Sequence, residues 1–327
     1  MSADEILRQS VEDLARVRSE VSRVIVGQGE VLELLLAAAF GGGHLLLEGV
    51  PGVGKTVLVR TVAQALGLSF GRVQFTPDLM PSDVTGTAIL VDARDGAKSF
   101  RFSPGPVFAN ILLADEVNRA TPKTQSALLE AMQEGQVTVL GETHPLPDPF
   151  MVMATENPVE MEGTYPLPEA QLDRFMFKAN VPFPDEDAMV AILDRTTGAP
   201  VAKVEPVMSH ERVLALRAAV RLIEAPPFAV RLAARLLSLT HPSNPDAPDT
   251  VKRYVRFGVS PRGGQAMLMG ARFCALENGR PSISREDVLR YAAPAMRHRL
   301  VLNFEAAADR VSPDQIVADV VALVPRE

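Results

Sequence analysis

The sequence predicts an α/β fold: a five-stranded parallel sheet between helices, followed by an all-α unit. Three observations predict it. Short apolar runs at 44–47, 72–75, 111–114, 150–154 and 175–181 alternate with helical stretches, as buried parallel strands do. Beyond Pro182-Phe183-Pro184 only helical periodicity remains, at roughly 186–197, 209–224, 229–240, 261–278, 284–298 and 312–323. Between the first run and its helix lies Gly49-Val50-Pro51-Gly52-Val53-Gly54-Lys55-Thr56, with the spacing G-x-x-x-x-G-K-[ST] of a phosphate-binding loop.

Composition narrows the class. The chain has 327 residues, 47% hydrophobic and 22% charged, which suits a globular protein of one or two domains. The net charge of −7 argues against passive binding along a nucleic-acid backbone, which needs a basic footprint. The single cysteine, Cys274, excludes a disulfide framework and a cysteine-built zinc site and fits a reducing cytoplasm. The first residues lack the basic-then-apolar order of a signal peptide. No run approaches the roughly 20 apolar residues that span a bilayer, so any membrane association is expected to be peripheral.

Taken in order, residues 4–24 read as an amphipathic helix, and a second apolar helix covers about 30–40. Gly41-Gly42-Gly43 ends it and delivers the chain to the first strand. Residues 76–106 hold two β-rich runs, 87–91 and 98–102, around a turn at Asp95-Gly96, and read as an inserted hairpin. Thr121-Pro122 starts a helix with threonine at N-cap and proline at N1; the helix runs to about Glu134. Residues 136–146, split at Gly141-Glu142, read as a second hairpin. The predicted division is 1–183 for the nucleotide-binding core, with both hairpins inside it, and 184–327 for the helical lid.

The loop's chemistry follows from its residue types. Glycine lets the backbone close around an anion so that N–H groups face phosphate oxygens, at the start of a helix. Gly49, Pro51, Gly52, Val53, Gly54, Lys55, Thr56 and Val57 are therefore the candidate nucleotide contacts. Lys55 would reach the β- and γ-phosphates, and the Thr56 hydroxyl would ligate Mg²⁺.

Binding alone does not hydrolyse; a metal-positioning carboxylate and a group that activates water are also needed. Asp115-Glu116 ends the third apolar run, placing Asp115 to hold Mg²⁺ through water and Glu116 to polarise the attacking water. Asn157 follows the fourth run, where an amide can bond both the γ-phosphate and the lytic water; an Asn-Pro turn with Pro158 is the alternative. Arg174 and Arg262 are candidates for stabilising transition-state charge, and ordinary surface arginines are the alternative. The five histidines show no metal-ligand spacing, no G-x-S-x-G elbow is present, and Cys274 reads as core.

These residues together resemble the AAA+ ATPases, and within them the MoxR family. The resemblance rests on the phosphate loop, Asp115-Glu116-Val117-Asn118-Arg119-Ala120, Ala154-Thr155-Glu156-Asn157-Pro158 and Gln171-Leu172-Asp173-Arg174-Phe175, and covers about residues 20–300. It implies a sensor role for Asn157, an arginine finger at Arg174 acting on the neighbouring subunit's ATP, and a second sensor at Arg262 acting from the lid in cis. It places Val26-Gly27-Gln28 beside the adenine, making Gln28 a further nucleotide contact, and gives Arg119 an interface role. The two hairpins correspond to the helix-2 insert and the pre-sensor-1 hairpin of this branch. The family implies ATP and Mg²⁺ as cofactors, a homo-oligomer in the form of a hexameric ring, and chaperone-like remodelling of protein clients. It also implies partners with von Willebrand factor A domains, in metal-cofactor insertion or complex maturation, with a cytoplasmic location that a partner can bring to the membrane. A nucleic-acid-dependent motor and a nucleotide-sensing scaffold are the alternatives. The hairpins carry few cations (Arg94, Lys98 and Arg101) and Asp115-Glu116 is intact, which weigh against each in turn.

Overall fold

The structure is a computed structural model that describes residues 3–92, 98–157, 163–198 and 203–324. The chain opens with α1 (Ala3–Ser22), which buries Leu14, Val17 and Val21 along one stripe. α2 (Gly29–Gly41) is buried from Val31 onward on every side, as expected of a helix that is apolar all round. Then come β1 (Leu45–Glu48), α3 (Lys55–Ala65), β2 (Phe70–Gln74) and α4 (Pro81–Thr85). The first hairpin is β3 (Gly86–Asp92) and β4 (Lys98–Pro104), and β5 (Ile111–Asp115) follows. After α5 (Pro122–Glu134) comes the second hairpin, β6 (Gln136–Val139) and β7 (Glu142–Pro145). β8 (Met151–Glu156), α6 (Glu169–Leu172) and β9 (Phe177–Asn180) complete the strand-rich part.

The five apolar runs form one parallel sheet in the order β2-β5-β8-β1-β9. The order fixes the site. The carboxyl ends of β5, β8 and β1 lie side by side, so the segments leaving these strands meet at one end of the sheet. Ligands of open α/β sheets sit at this end. Residues 173–176, which lead into β9, lie at the other end.

One apolar layer packs on each face of the sheet. On one face α5 buries Leu128, Leu129 and Met132 against Val73, Leu112, Val152 and Phe175. On the other, α1, α2 and α3 form a layer that runs without a break into the helices that follow the sheet. Those are α7 (Glu186–Thr197), α8 (His210–Leu222), α9 (Pro227–Leu239), α10 (Asp249–Tyr254) and α11 (Pro261–Glu277). α12 (Arg285–Arg290), α13 (Ala292–Met296), α14 (Phe304–Ala308) and α15 (Pro313–Ala322) end the chain. We keep 183/184 as the proposed division, since the parallel strands lie before it. The hydrophobic core is continuous across it: Phe40 of α2 stacks on Phe273 of α11, and Tyr291 donates to Glu33 of α2 at 3.0 Å.

The helical part departs from the sequence expectation in three places. Two strands lie within it, β10 (Val255–Phe257) and β11 (Val301–Leu302), paired antiparallel. Each is too short to show a period of two. α10 and α14 are likewise single short turns of chain. The helix expected over 284–298 divides at Tyr291, whose buried ring and hydroxyl are fixed from outside the helix by Phe177 and Glu33. In the strand-rich part, both hairpins form. The Asp95-Gly96 turn and Arg94 lie outside the described residues. The second hairpin turns at Leu140-Gly141, one residue earlier than expected, with positive φ at both positions (50° and 84°). Thr121 stands at the α5 N-cap, but its side chain caps no backbone N–H.

Candidate active site

The phosphate loop links β1 to α3. Gly52 and Gly54 both take φ of 83°, a backbone that side chains with a Cβ adopt only under strain. At Gly49 space is the constraint: a Cβ there would lie 2.8 Å from the Val181 carbonyl oxygen. The Val181 N–H is bonded to Glu48 O at 2.7 Å, which holds that residue close to the start of the loop. Lys55 folds back and donates from Nζ to Gly49 O at 2.5 Å. Its ammonium lies within the fields of Asp115, Glu116 and Glu48, which favour the charge, yet burial prevails and lowers its pKa.

Beside the loop is a cavity of about 800 Å³, lined by Val24, Ile25, Val26, Gln28, Val53, Val57, Phe183 and Met189 among others. Its size and apolar walls suit a nucleobase and sugar. Gln28 joins the cavity to the loop by donating from Nε2 to Val53 O at 2.6 Å. The segment 24–28, the loop and α7 thus meet around one space.

Asp115 and Glu116 stand at the end of β5 and are held from both neighbouring strands. Arg72 of β2 donates to Asp115 Oδ2 at 2.7 Å, and Thr155 Oγ1 of β8 donates to Asp115 Oδ1 at 2.7 Å. The same Thr155 oxygen accepts the Glu116 N–H at 2.8 Å. Glu116 has a φ of 56°, and its Oε2 accepts from Gln74 Nε2 at 2.8 Å and Arg119 at 3.0 Å. Asn157 is buried just beyond the end of β8, at the same end of the sheet. Pro158, its partner in the alternative turn reading, lies outside the described residues.

The sequence reading missed Arg72, Gln74 and Thr155. Gln74 stands directly across from Asp115 in the β2–β5 register. Strand neighbours of this kind carry no local signal until the strand order is known.

Arg174 and Arg262 are brought together, but not at this end. Both lie beside the lead into β9. Arg174 Nη1 donates to Leu129 O at 2.7 Å, and Arg262 pairs with Asp173 at 3.6 Å. In this arrangement Arg262 reaches Asp173 rather than this chain's own phosphate loop. Its guanidinium is drawn to the carboxylate next to Arg174, and a strand of the sheet separates that point from the phosphate loop.

The donor set fits Mg²⁺ with a bound nucleotide. Thr56 and Asp115 offer hard oxygen ligands. Among the described residues no group of three or more His, Cys, Asp or Glu could cage a metal alone. A cation that keeps waters and takes phosphate oxygens needs no such cage. His44 and His298 are buried, and burial holds both uncharged. Cys274 is a buried thiol whose pKa is pushed up to about 12, chiefly by burial.

Comparison with known proteins agrees with this geometry. Residues 44–177 match the ATPase family associated with various cellular activities (AAA), and residues 249–320 match the AAA lid domain. The chain is 43% identical to the chaperone MoxR1 of Mycobacterium tuberculosis, over 97% of its own length and 83% of that protein. It is 44% identical to YeaC of Bacillus subtilis, over 95% of this chain and 94% of that one. A solved structure from Cytophaga hutchinsonii, described as a candidate ATPase, superposes with a TM-score of 0.92 at 39% identity, covering 99% of this chain and 98% of the other.

Proposed function

Since this chain belongs to the MoxR family of AAA ATPases, we propose that it hydrolyses ATP to ADP and phosphate, with Mg²⁺, at sites shared between subunits of a ring. The observation that carries this reading is the split of the candidate residues between the two ends of the sheet. Lys55, Thr56, Asp115, Glu116 and Asn157 gather at the carboxyl ends of β1, β5 and β8. Arg174 and Arg262 stand at the other end, joined through Asp173. A subunit built this way offers phosphate-binding groups from one face and arginines from the other, so a complete site needs two copies.

The roles follow from the chemistry. Loop N–H groups and Lys55 hold the phosphates, and Gln28 keeps the loop against the base cavity. Bound Mg²⁺ supplies charge neutralisation at the phosphates, with Thr56 and Asp115 as its protein ligands. Glu116 accepts the proton of the attacking water, and Asn157 orients that water. Arg174, with Arg262 beside it, stabilises transition-state charge on the neighbour's ATP.

The finer reading is that turnover remodels protein clients or complexes, in metal-cofactor insertion or maturation, with a von Willebrand factor A domain partner. It further places the protein in the cytoplasm. It rests on the family resemblance and on the exposed hairpins, whose apolar residues include Leu90, Phe100 and Leu140. Among the described residues no helix is long and apolar enough to cross a membrane.

The test is ATPase rate against protein concentration, with Glu116→Gln beside the wild type and mass measured with and without ATP. Turnover that rises cooperatively with concentration, and a trapped assembly in the variant, are the expected results. Concentration-independent turnover by a monomer would overturn the shared-site reading.

A further inference from the structure

Arg299 lies in the last turn before β11, far in sequence from any motif of the site. Its side chain is 2% exposed, and all but one of its hydrogen bonds go to residues 173–176. Nε donates to Asp173 Oδ1 at 2.8 Å. Nη2 donates to the carbonyls of Asp173 at 3.0 Å and Phe175 at 2.6 Å. Nη1 donates to Met176 O at 3.2 Å and to Ala295 O of α13. Every donor of the guanidinium is used. His298, the preceding residue, adds a bond from Nε2 to Phe175 O at 2.9 Å.

The carbonyls of residues 173, 175 and 176 bracket Arg174. They belong to the irregular lead into β9, which makes no strand pairing of its own at 173–175. Besides its own turn bonds, from Arg174 N to Gln171 O at 3.2 Å and from Phe175 N to Leu172 O at 3.1 Å, this lead is held by the His298-Arg299 turn, together with Ser260, which donates to Asp173 Oδ1 at 2.6 Å from the start of α11. Asp173 is thus the common acceptor for Arg299, Ser260 and Arg262.

We infer that Arg299 is the positioning residue for Arg174: by clamping the backbone on both sides of it to the lid, it sets the geometry in which Arg174 is presented to the neighbouring subunit. A shift of the lid then carries Arg174 and Arg262 together. This rests on the reading of Arg174 as acting on a neighbour's ATP.

The guanidinium fork is required. A lysine keeps the charge but has three donors from one atom and cannot span the carbonyls of 173, 175 and 176. Arg299→Lys should lower kcat by about 100-fold, the order of loss for a catalytic group displaced by an ångström. Affinity for a fluorescent ATP analogue, which reads the variant's own loop, should stay within about twofold, since the phosphate contacts lie at the far end of the sheet.

A mixing experiment separates positioning from general damage. Arg299→Lys is mixed with Lys55→Ala, and Arg174→Ala with Lys55→Ala in parallel. Lys55→Ala subunits bring an intact arginine but no working loop, so they should restore turnover at loops of either arginine-side variant. Recovery in both mixtures supports the inference. Recovery with Arg174→Ala but not with Arg299→Lys, or wild-type kcat in Arg299→Lys, overturns it. Failure of the Arg174→Ala mixture to recover overturns the shared-site reading itself. Should Arg299→Lys not fold, Arg299→Gln, whose amide keeps two donors without a displaced buried charge, carries the same comparison with the same outcomes.

Discussion

Arg72 and Asp115 are joined by a 2.7 Å bond from guanidinium to carboxylate Oδ2, and this bond crosses from the edge strand β2 to its neighbour β5. The second carboxylate oxygen is taken by Thr155, from the strand on the other side. Asp115 is therefore aimed by both flanking strands before any cation arrives.

Thr155 is the more informative residue to change. Its hydroxyl donates to Asp115 and accepts the Glu116 N–H, so one oxygen orients both acidic residues. Thr155→Val keeps the shape and leaves the two groups unsatisfied in a buried place, at a cost of about 1–3 kcal/mol in stability. ATP turnover is expected to fall more than ATP affinity does. Urea unfolding together with steady-state kinetics checks this; unchanged kcat would remove Thr155 from the site.

Arg174→Ala should abolish turnover and spare nucleotide binding, because its side chain contacts Leu129 and not the loop. Arginine fingers contribute about 10³–10⁵ in kcat, so the loss should be of that order. Phosphate release and titration with a fluorescent ATP analogue read the two effects separately. Loss of binding would count against a role in trans.

Gly49→Ala places a methyl group 2.8 Å from the carbonyl oxygen of Val181, a residue held to β1 through its N–H. The strain should cost about 1–3 kcal/mol and displace the start of the loop. A lowered melting temperature with weakened ATP binding is the expected pair of results. Full stability would show that the β1–Val181 contact yields easily.

His44 makes stability depend on pH. Nε2–H donates to Met132 O at 3.2 Å and Nδ1 accepts from Val152 N at 3.0 Å, so both nitrogens are occupied in the neutral form. Burial lowers its pKa from 6.5 to about 4. The unfolded chain then binds the extra proton first as pH falls. The stabilisation is whole above about pH 6.5 and is lost on the way down to about pH 4, up to about 3 kcal/mol. His44→Gln, an amide that does not titrate, should flatten this part of the profile in urea midpoints between pH 7 and pH 4.5. An unchanged slope would assign the dependence to other groups, His298 among them.

Much of the site was legible in the chain because its parts are local. The loop needs glycines at fixed spacing and a helix after it, and both are contiguous in sequence. Asp115-Glu116 and Asn157 were legible as polar residues ending apolar runs. Arg72, Thr155 and Arg299 were not. Arg72 sits within a strand and Thr155 inside a buried one, while Arg299 closes an Arg297-His298-Arg299 run after a helix, where charged residues read as an ordinary solvated helix end. Their partners are 43, 40 and 126 residues away. The strands β10 and β11 were hidden for the related reason that two or three residues carry no period.

By itself the sequence determined the α/β class, the five strands, the phosphate loop and the acidic pair, since these follow from periodicity and from residue types at short spacing. The tertiary structure decided which strands are neighbours, and hence that Lys55 and Asp115 share one end of the sheet while Arg174 and Arg262 share the other. That choice is made by burial on both faces of the sheet and by a few bonds between distant residues. The energy of such contacts depends on separation in space, and separation along the chain gives no measure of it.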